Sequence, residues 1–276
     1  MSLVPLRSLV SSGYITYMGS QNETVRDKTV TEWLSALNLQ DNFNFRQFLS
    51  TETQMLTWKK EGLPADILSI ENAIMITTTE KTPLIIDPAT QASEWLKTNL
   101  KKVSDNVEVL NAQDSKFNTN IELAIRFGKV LIIQEVDGIE SMLVPILRKD
   151  LTQQGPRQVV QIGEKSVDYN PAFRLFMTTR DQFVQLPPNI SDLVQTVNFT
   201  VTKSGLEGQL LGITINYEQP ELEARKTQLL EEEERLKIQL SGYEKKLLEA
   251  LGSSTGNILE NKPLISTLEQ TKLQST

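Results

Sequence analysis

The chain has 276 residues, of which 39% are hydrophobic and 23% charged, with a formal net charge of -7 and neither cysteine nor histidine. This composition is typical of a globular protein, and it excludes disulfides, thiolate catalysis, Cys/His zinc sites and any general base that needs an imidazole. The acidic balance argues against a nucleic-acid partner, and no apolar run approaches the roughly 18 residues that a membrane-spanning helix needs.

The first part of the chain predicts helices around one short strand. Residues 13–18 predict the strand, and residues 27–39 predict an amphipathic helix with Asp27 as its N-cap. Residues 45–58 predict one or two further helices, which end at the breaker formed by residues 62–64.

Short apolar runs then predict the interior of a parallel sheet. The runs are residues 73–77, 83–86, 130–133 and 174–177, followed by a late strand at 194–201. Helices are expected between and after them, at residues 93–102, 118–127 and 143–151. A hairpin at 158–162 and 166–169 would be an insertion. Apolar strands that alternate with helices are typical of a doubly wound α/β fold with helices on both faces.

The character of the sequence changes after Gly212. Residues 218–251 are charged and predict a long helix with a coiled-coil seam, whose seven-residue repeat consists of Leu222, Leu229, Leu236 and Tyr243. The seam is weak because Arg225 and Glu233 take positions that should be apolar, so a long surface helix is an equal alternative. A further helix is expected from residue 262. We therefore predict a large α/β subdomain at 1–212 and a helical segment at 213–276.

The strand at 83–86 leads into a loop where nucleotide-binding modules have a glycine-rich phosphate loop. In such a loop two glycines, a lysine and a hydroxyl hold the phosphates and Mg²⁺. Those four positions are occupied here by Asp87, Ala92, Ser93 and Glu94. Two carboxylates are therefore expected where phosphates would lie, and like charges repel strongly in a partly dry site. The sequence predicts that ATP does not bind.

The second half of such a site is an apolar strand that ends in Asp-Glu, which serve Mg²⁺ and the attacking water. Here the strand at 130–133 ends in Gln134 and Glu135, so a neutral amide replaces the metal-binding acid. Taken alone, Glu135 is better explained as a surface acid at the end of a strand. Its position in the chain after the altered loop favours the alternative, that the two segments descend from a nucleotide site. A carboxylate cluster of Asp87, Glu94 and Glu135 for acid/base work has no further support. Residues 178–180 fit a strand-end turn better than a phosphate sensor.

Several segments resemble the fifth AAA+ module of dynein heavy chains, and together they cover nearly the whole chain. These segments are residues 58–66 (WKKEGLPAD), 69–73 (SIENA), 83–87 (PLIID), 169–174 (YNPAFR), 198–202 (NFTVT), 205–211 (GLEGQLL) and 256–259 (GNIL). Within that family, residues 132–135, 154–157 and 160–163 are most similar to the cytoplasmic dynein 2 subtype, the motor of retrograde intraflagellar transport.

The resemblance implies an AAA+ module of the P-loop type in a six-module ring, a module without nucleotide, catalytic residue, metal or cofactor. The parent heavy chain would be an ATPase motor, and this module a mechanical relay in minus-end-directed microtubule transport. Its expected partners are neighbouring AAA+ modules, the linker domain, and the stalk through a coiled-coil strut (buttress) that starts after Lys262. Microtubules would be contacted only indirectly. The expected location is the cytoplasm, the cytoskeleton and the cilium.

The resemblance also bears on the arginine finger that AAA+ modules often offer to a neighbour. The matching position holds Gln195, although Arg180 could substitute. Two other functions stay open on the sequence alone. An active ATP-binding module would need an intact phosphate loop. Ala92 and Ser93 argue against this function, because they replace a glycine and the lysine of such a loop. A free-standing coiled-coil adaptor would need residues 218–276 to self-associate.

Overall fold

The structure, a computed structural model, describes residues 3–37, 43–64, 66–104, 106–114, 116–201 and 203–219, with single positions between 221 and 242. The chain divides into two compact units. The first comprises Met1–Thr51 and Thr57–Leu210, and the second comprises Glu52–Leu56 and Leu211–Thr276. No helix in the described ranges is both long and apolar enough to cross a membrane.

Five helices come first among the described residues, and strands follow with further helices among them. The helices are α1 (Leu3–Tyr17), α2 (Glu23–Ala36), α3 (Phe45–Leu49), α4 (Glu52–Lys60), α5 (Ile67–Thr78), α6 (Gln91–Val103), α7 (Phe117–Phe127), α8 (Val144–Arg148), α9 (Pro188–Ser191) and α10 (Lys203–Glu218). The strands are β1 (Thr82–Ile86), β2 (Val107–Asn111), β3 (Val130–Gln134), β4 (Leu151–Gln154), β5 (Arg157–Ile162), β6 (Lys165–Asp168), β7 (Arg174–Thr179) and β8 (Val194–Asn198).

Five of the strands form a parallel sheet in the order β2-β3-β7-β1-β8. The predicted α/β fold, a parallel sheet flanked by helices, is confirmed. Because β7 lies between β1 and β3, the end of β7 separates the loop after β1 from the end of β3. Open sheets of this kind bind ligands at the carboxyl ends of their strands, where all three of these segments meet.

Continuous apolar strands form the centre of the core. Leu84, Ile85, Leu131 and Ile132 are all 0% exposed, as strands covered by helices on both faces require. Burying one side chain of this size stabilises the fold by about 1.5–3 kcal/mol. The three remaining strands form an antiparallel sheet in the order β4-β5-β6, and Val160 of β5 joins the same core.

Two of the predicted strands are wrong. Residues 73–77 lie inside α5, and residues 13–18 fall in α1 and the turn after it. Helix α5 is buried over most of its length, so its apolar run has no helical period and cannot be told from a buried strand. Its start is set by Asp66, whose carboxylate accepts a hydrogen bond from the Ser69 N–H at 3.0 Å. In α1 the packing of Tyr14, which is 3% exposed, outweighs the strand propensity of its neighbours.

Other boundaries also differ from the prediction. Helix α2 begins one turn early, because Asn22 and not Asp27 caps it by accepting from the Val25 N–H at 3.0 Å. The helix expected at 143–151 is shorter: it ends where Lys149 adopts φ 55°, and β4 follows. The expected hairpin is confirmed as β5 and β6, and β4 adds a third strand. Strand β2 was missed because it is an edge strand in which only Leu110 is buried.

A buried arginine joins the first helices to the sheet. Arg26 of α2 is 1% exposed and donates to Asn72 Oδ1 at 2.7 Å and to the carbonyl oxygens of Gly19 and Gln21 at 3.0 Å each. Asn72 Nδ2 in turn donates to the Asn198 carbonyl oxygen at 2.7 Å. A buried charge is tolerated only when it is paired in this way, so the contacts fix α2 and α5 on β8.

The same cluster contains a buried acid, Glu71 of α5. Its carboxylate accepts a 2.5 Å hydrogen bond from the Tyr14 hydroxyl and lies 3.6 Å from Arg26. Burial raises the pKa of Glu71, and the charge of Asp27 adds to that effect; the Tyr14 hydrogen bond and the charges of Arg26 and Arg46 oppose it. Burial likewise raises the pKa of Tyr14, so the hydroxyl stays protonated and donates.

Gly19 allows the turn after α1 to lie directly on β8. A Cβ at this position would meet the Thr196 carbonyl oxygen at 2.3 Å and Gln195 Nε2 at 2.8 Å. The Gly19 carbonyl oxygen also accepts a hydrogen bond from the Asn198 N–H at 2.9 Å. The contact with Thr196 is to backbone, so it cannot be relieved by a side-chain rotation.

We expect Gly19→Ala to lower the free energy of unfolding by about 1–3 kcal/mol, the usual cost of forcing extra volume into a packed site. Gly138→Ala is the matched control, because a Cβ there meets nothing within 4 Å. Urea denaturation followed by circular dichroism compares the two variants with the wild type. Equal midpoints for Gly19→Ala and Gly138→Ala would contradict the close approach.

Glu71→Gln tests the buried acid through pH. Since the folded state raises this pKa, its contribution to stability is fully present below the ordinary glutamate pKa and is lost as pH rises through the raised value. The wild type should therefore lose free energy of unfolding relative to Glu71→Gln as pH rises from about 4 towards neutrality. Glu32→Gln, at an exposed position of the same chain, corrects for the loss of one negative charge. A wild type whose free energy of unfolding rises relative to that of Glu71→Gln as pH rises would contradict the assignment.

Candidate functional site

The loop after β1 is closed by its own acidic side chain. Asp87 is 2% exposed, and one carboxylate oxygen accepts from the Ser93 N–H at 2.7 Å and from the Ser93 hydroxyl at 2.8 Å. The Asp87 N–H donates to the Thr179 carbonyl oxygen at 2.8 Å, which fixes the start of the loop to β7. Ser93 lies in the first turn of α6, where backbone N–H groups have no partner within the helix.

The carboxylate of Asp87 lies where a phosphate would be held. In phosphate loops the N–H groups at the start of the following helix bind the anion, helped by the helix dipole. Here the Asp87 carboxylate of the chain itself takes the place of that anion. A phosphate would have to displace two hydrogen bonds to a charged group, each of which contributes about 1.5–3 kcal/mol. The displaced carboxylate would then remain beside the incoming negative charge.

The other altered loop positions lie in two different environments. Ala92 and Ser93 are buried, at 1% and 4% exposed. The Glu94 side chain is 70% exposed and pairs with Lys97 at 2.8 Å on the outside of α6. The expectation of two carboxylates in the loop is therefore wrong for Glu94, because the helix rotates this position outward. One internal carboxylate, Asp87, closes the loop.

The space beside the Asp87 side chain is small. The cavity between Asp87, Asp66 and Thr200 has a volume of about 10 Å³. That is close to the space of a single water, whereas ligand pockets hold about 300–1,000 Å³. A triphosphate therefore does not fit beside the Asp87 side chain itself, whereas a separate cavity of about 340 Å³ lies on the side of the loop lined by Ala89, Thr90 and Gln91.

Glu135 is held at the ends of three strands. Its carboxylate accepts from Asn111 Nδ2 at 2.9 Å and forms an ion pair with Arg180. Asn111 ends β2, Glu135 follows β3 and Arg180 follows β7. Gln134, half-buried and uncharged, lies opposite Asn111 in the register of the sheet. The acid that could activate a water is therefore already neutralised by an arginine of the same unit.

Backbone strain marks both halves of the site. Thr90 in the loop and Glu135 after β3 adopt φ of 62° and 58°, and Lys149 is the third non-glycine residue with positive φ among those described. Such conformations cost energy and concentrate at functional sites.

The remaining candidate residues lie in or next to β7 and β8. Thr178 and Thr179 are buried at the end of β7, and Thr179 Oγ1 accepts from the Asp181 N–H at 3.1 Å, as in a strand-end turn. Gln195 is 5% exposed inside β8, so its side chain does not face outward as a finger must. Arg180 is exposed but contacts Glu135 of its own unit.

No carboxylate cluster forms. Asp87, Glu94 and Glu135 bind three different partners, Ser93, Lys97 and Arg180. Within the described part of the chain, no group of three or more acidic side chains could hold a metal ion. The pairing of Glu135 with Arg180 was not predicted. Its only signal in the sequence is opposite charge at the ends of two strands, which means little until the strand order is known.

Comparisons with known proteins agree with this architecture. A family model described as "ATP-binding dynein motor region" matches residues 56–276. Cytoplasmic dynein 2 heavy chain 1 of Mus musculus is 52% identical over 275 residues, which is 100% of this chain and 6% of that protein. The protein of the same name from Chlamydomonas reinhardtii is 51% identical over 273 residues, 99% of this chain and 6% of its own length. The cytoplasmic dynein heavy chain of Neurospora crassa is 34% identical over 273 residues, with 97% and 6% covered. The chain thus spans about 6% of the length of these relatives.

Replacing Asp87 tests the internal anion. We expect Asp87→Ala to lower the free energy of unfolding by about 1–3 kcal/mol, because it leaves the buried N–H and hydroxyl of Ser93 without an acceptor. Asp87→Asn keeps one acceptor oxygen and should cost less. Glu94→Gln, on the exposed side of the same helix, should stay within about 0.5 kcal/mol of the wild type. Thermal denaturation ranks the three variants, and an Asp87→Ala variant as stable as Glu94→Gln would contradict the role given to Asp87.

Proposed function

The chain belongs to the family of ATP-binding dynein motor regions, and from that premise we propose that it is a module of the motor ring that neither binds nor hydrolyses ATP. The observation that carries the proposal is the hydrogen bonding of the Asp87 carboxylate to the N–H and hydroxyl of Ser93. The family description refers to ATP for the motor region as a whole. This module would act within an ATPase motor without being an ATPase itself.

Internal contacts replace the ligand that would otherwise join the strand ends. In an active module the nucleotide and its Mg²⁺ bridge the phosphate loop and the acid after the third strand. Here Asp87 holds the loop to α6 and β7, and Glu135 joins β2, β3 and β7 through Asn111 and Arg180. The carboxyl edge of the sheet is therefore held in one arrangement whether or not ATP is present.

A module held in this way suits a mechanical role. We infer that it is the fifth of six AAA+ modules in a dynein 2-type heavy chain and takes part in minus-end-directed, retrograde intraflagellar transport. A rigid block passes a displacement from one neighbour to the next without absorbing it in loop movements. Its partners would be the neighbouring modules, the linker domain, and the stalk through a strut, with microtubules contacted only indirectly. The cilium, the cytoskeleton and the cytoplasm are the places where such a motor would work.

The predicted strut depends on the C-terminal segment. Leu229 and Leu236 of the seven-residue repeat are described, and they are 59% and 55% exposed. Leu222, Tyr243 and the helix expected after Lys262 lie outside the described residues. Exposed leucines at this spacing support a seam that is covered by a partner helix. The coiled-coil adaptor shares this support and rests on residues 218–276 alone.

An active module is the main competing function, and titration with Mg-ATP separates it from the proposal. Trp95 is a built-in reporter, because it follows Glu94 on α6, is 0% exposed and packs on Trp58 with 6.1 Å between ring centroids. We expect no change in tryptophan fluorescence and no heat of binding up to millimolar Mg-ATP. A protein with an intact phosphate loop, titrated in parallel, is the positive control. Saturable binding in the micromolar range would contradict the proposal.

A further inference from the structure

A second cavity, of about 430 Å³, lies at the amino ends of the strands, at the opposite edge of the sheet from Asp87. Three basic side chains line it: Lys81 just before β1, Arg174 at the start of β7 and Lys149 after α8. Glu80 is the one acidic residue in its described lining. We call this feature the basic groove. Its local charge is positive although the chain carries a formal net charge of -7.

Two of the three cations are free to bind an outside group. Lys149 and Arg174 are exposed, and neither forms an ion pair with another side chain in the part of the chain that the structure describes. Lys81 differs, because its Nζ donates to the Asp192 carbonyl oxygen at 2.7 Å and lies 3.4 Å from the Asp192 carboxylate. Unpaired cations that share one cavity repel one another, and an anion placed between them removes that repulsion.

Rigid elements hold the two free cations in place. Arg174 is the first residue of β7, which is paired on both sides, with β1 and with β3. Lys149 ends α8 at φ 55°, and its N–H donates to the Ile146 carbonyl oxygen at 3.1 Å. A left-handed conformation costs a lysine about 1–2 kcal/mol, which glycine would avoid. A lysine in this costly conformation is consistent with a function for its ammonium group.

The groove also offers a neutral donor and apolar walls. Tyr169 lines the groove, and burial raises the pKa of its hydroxyl, which stays protonated near neutral pH. Its ring packs edge-on against Phe173 with 6.3 Å between centroids. Pro171 and Ile146 add apolar surface to the lining. Such a mixture fits a peptide segment with carboxylate side chains and some apolar residues.

We propose that the basic groove is the docking site for an acidic segment of the parent heavy chain, whose carboxylates pair with Lys149 and Arg174. Charge complementarity selects the acidic chemistry. The parent chain supplies the segment because this span is about 6% of the length of its relatives, so the rest of the heavy chain is present at high effective concentration. The proposal rests on membership of a heavy chain and is independent of whether this module binds ATP.

Zero-length carbodiimide cross-linking of the parent heavy chain tests the proposal. The reagent joins a lysine amine to a carboxylate only when the two are in ion-pair contact, and mass spectrometry of the digest identifies both partners. We expect Lys149 to be linked to an aspartate or glutamate of the same heavy chain outside this span. Arg174→Gln should lower the yield of that link at least two-fold, and about 0.5 M salt should lower it further by screening.

Lys28 is the matched control, since it is an exposed lysine of the same unit whose ion-pair partner, Glu32 at 3.9 Å, lies on its own helix. Its link to Glu32 should be unaffected by Arg174→Gln. Lys149→Asn, a residue that tolerates positive φ, should abolish the Lys149 link without unfolding the module. A Lys149 that stays unlinked, is linked only within this span, or is linked to a different polypeptide would overturn the proposal.

Discussion

The buried carboxylate of Asp87 is the constraint on which the candidate site depends. An ionised group can remain inside a protein only if hydrogen bonds or opposite charges replace its water, and here the first turn of α6 does so through Ser93. The dependence is mutual, because the start of α6 also needs an acceptor for its free N–H groups. Opening the loop would leave both the Asp87 carboxylate and the N–H groups at the start of α6 without these hydrogen-bond partners. The small cavity beside the Asp87 side chain is consistent with this mutual satisfaction.

The second constraint acts at the neighbouring strands. Glu135 would be an unpaired acid at the sheet edge if Arg180 did not reach it from β7, and Asn111 supplies a further donor from β2. Together with Asp87, this arrangement links the ends of four of the five parallel strands through side chains and backbone of the same unit. A nucleotide would do the same in an active module, but reversibly. In the proposed function, an internal link of this kind replaces a reversible switch with the stiffness that a mechanical relay needs.

The sequence allowed much of this architecture to be predicted, for physical reasons that differ by element. Strands β1, β3 and β7 were predictable because they are buried on both faces and therefore read as unbroken apolar runs. Helix α5 was mistaken for a strand for the same reason: a helix buried over most of its length also reads as an apolar run. The altered loop positions could be identified by their spacing from β1. Whether Glu94 points inward could not, because a shift of one residue around a helix turns a side chain from core to solvent. The contact between Arg180 and Glu135 joins two strands far apart in sequence, and only the strand order brings them together.

Amide hydrogen exchange at Ser93 tests the central claim most directly, since this N–H is the one that Asp87 accepts from. Exchange of a hydrogen-bonded amide requires local opening, so its rate reports whether the loop is closed in the absence of nucleotide. The account predicts that Ser93 is strongly protected without any ligand and that millimolar Mg-ATP leaves its rate unchanged. Rapid exchange in the free protein, or protection that appears only when Mg-ATP is added, would contradict the account, because it would show that the loop is open without a ligand and can still bind phosphate.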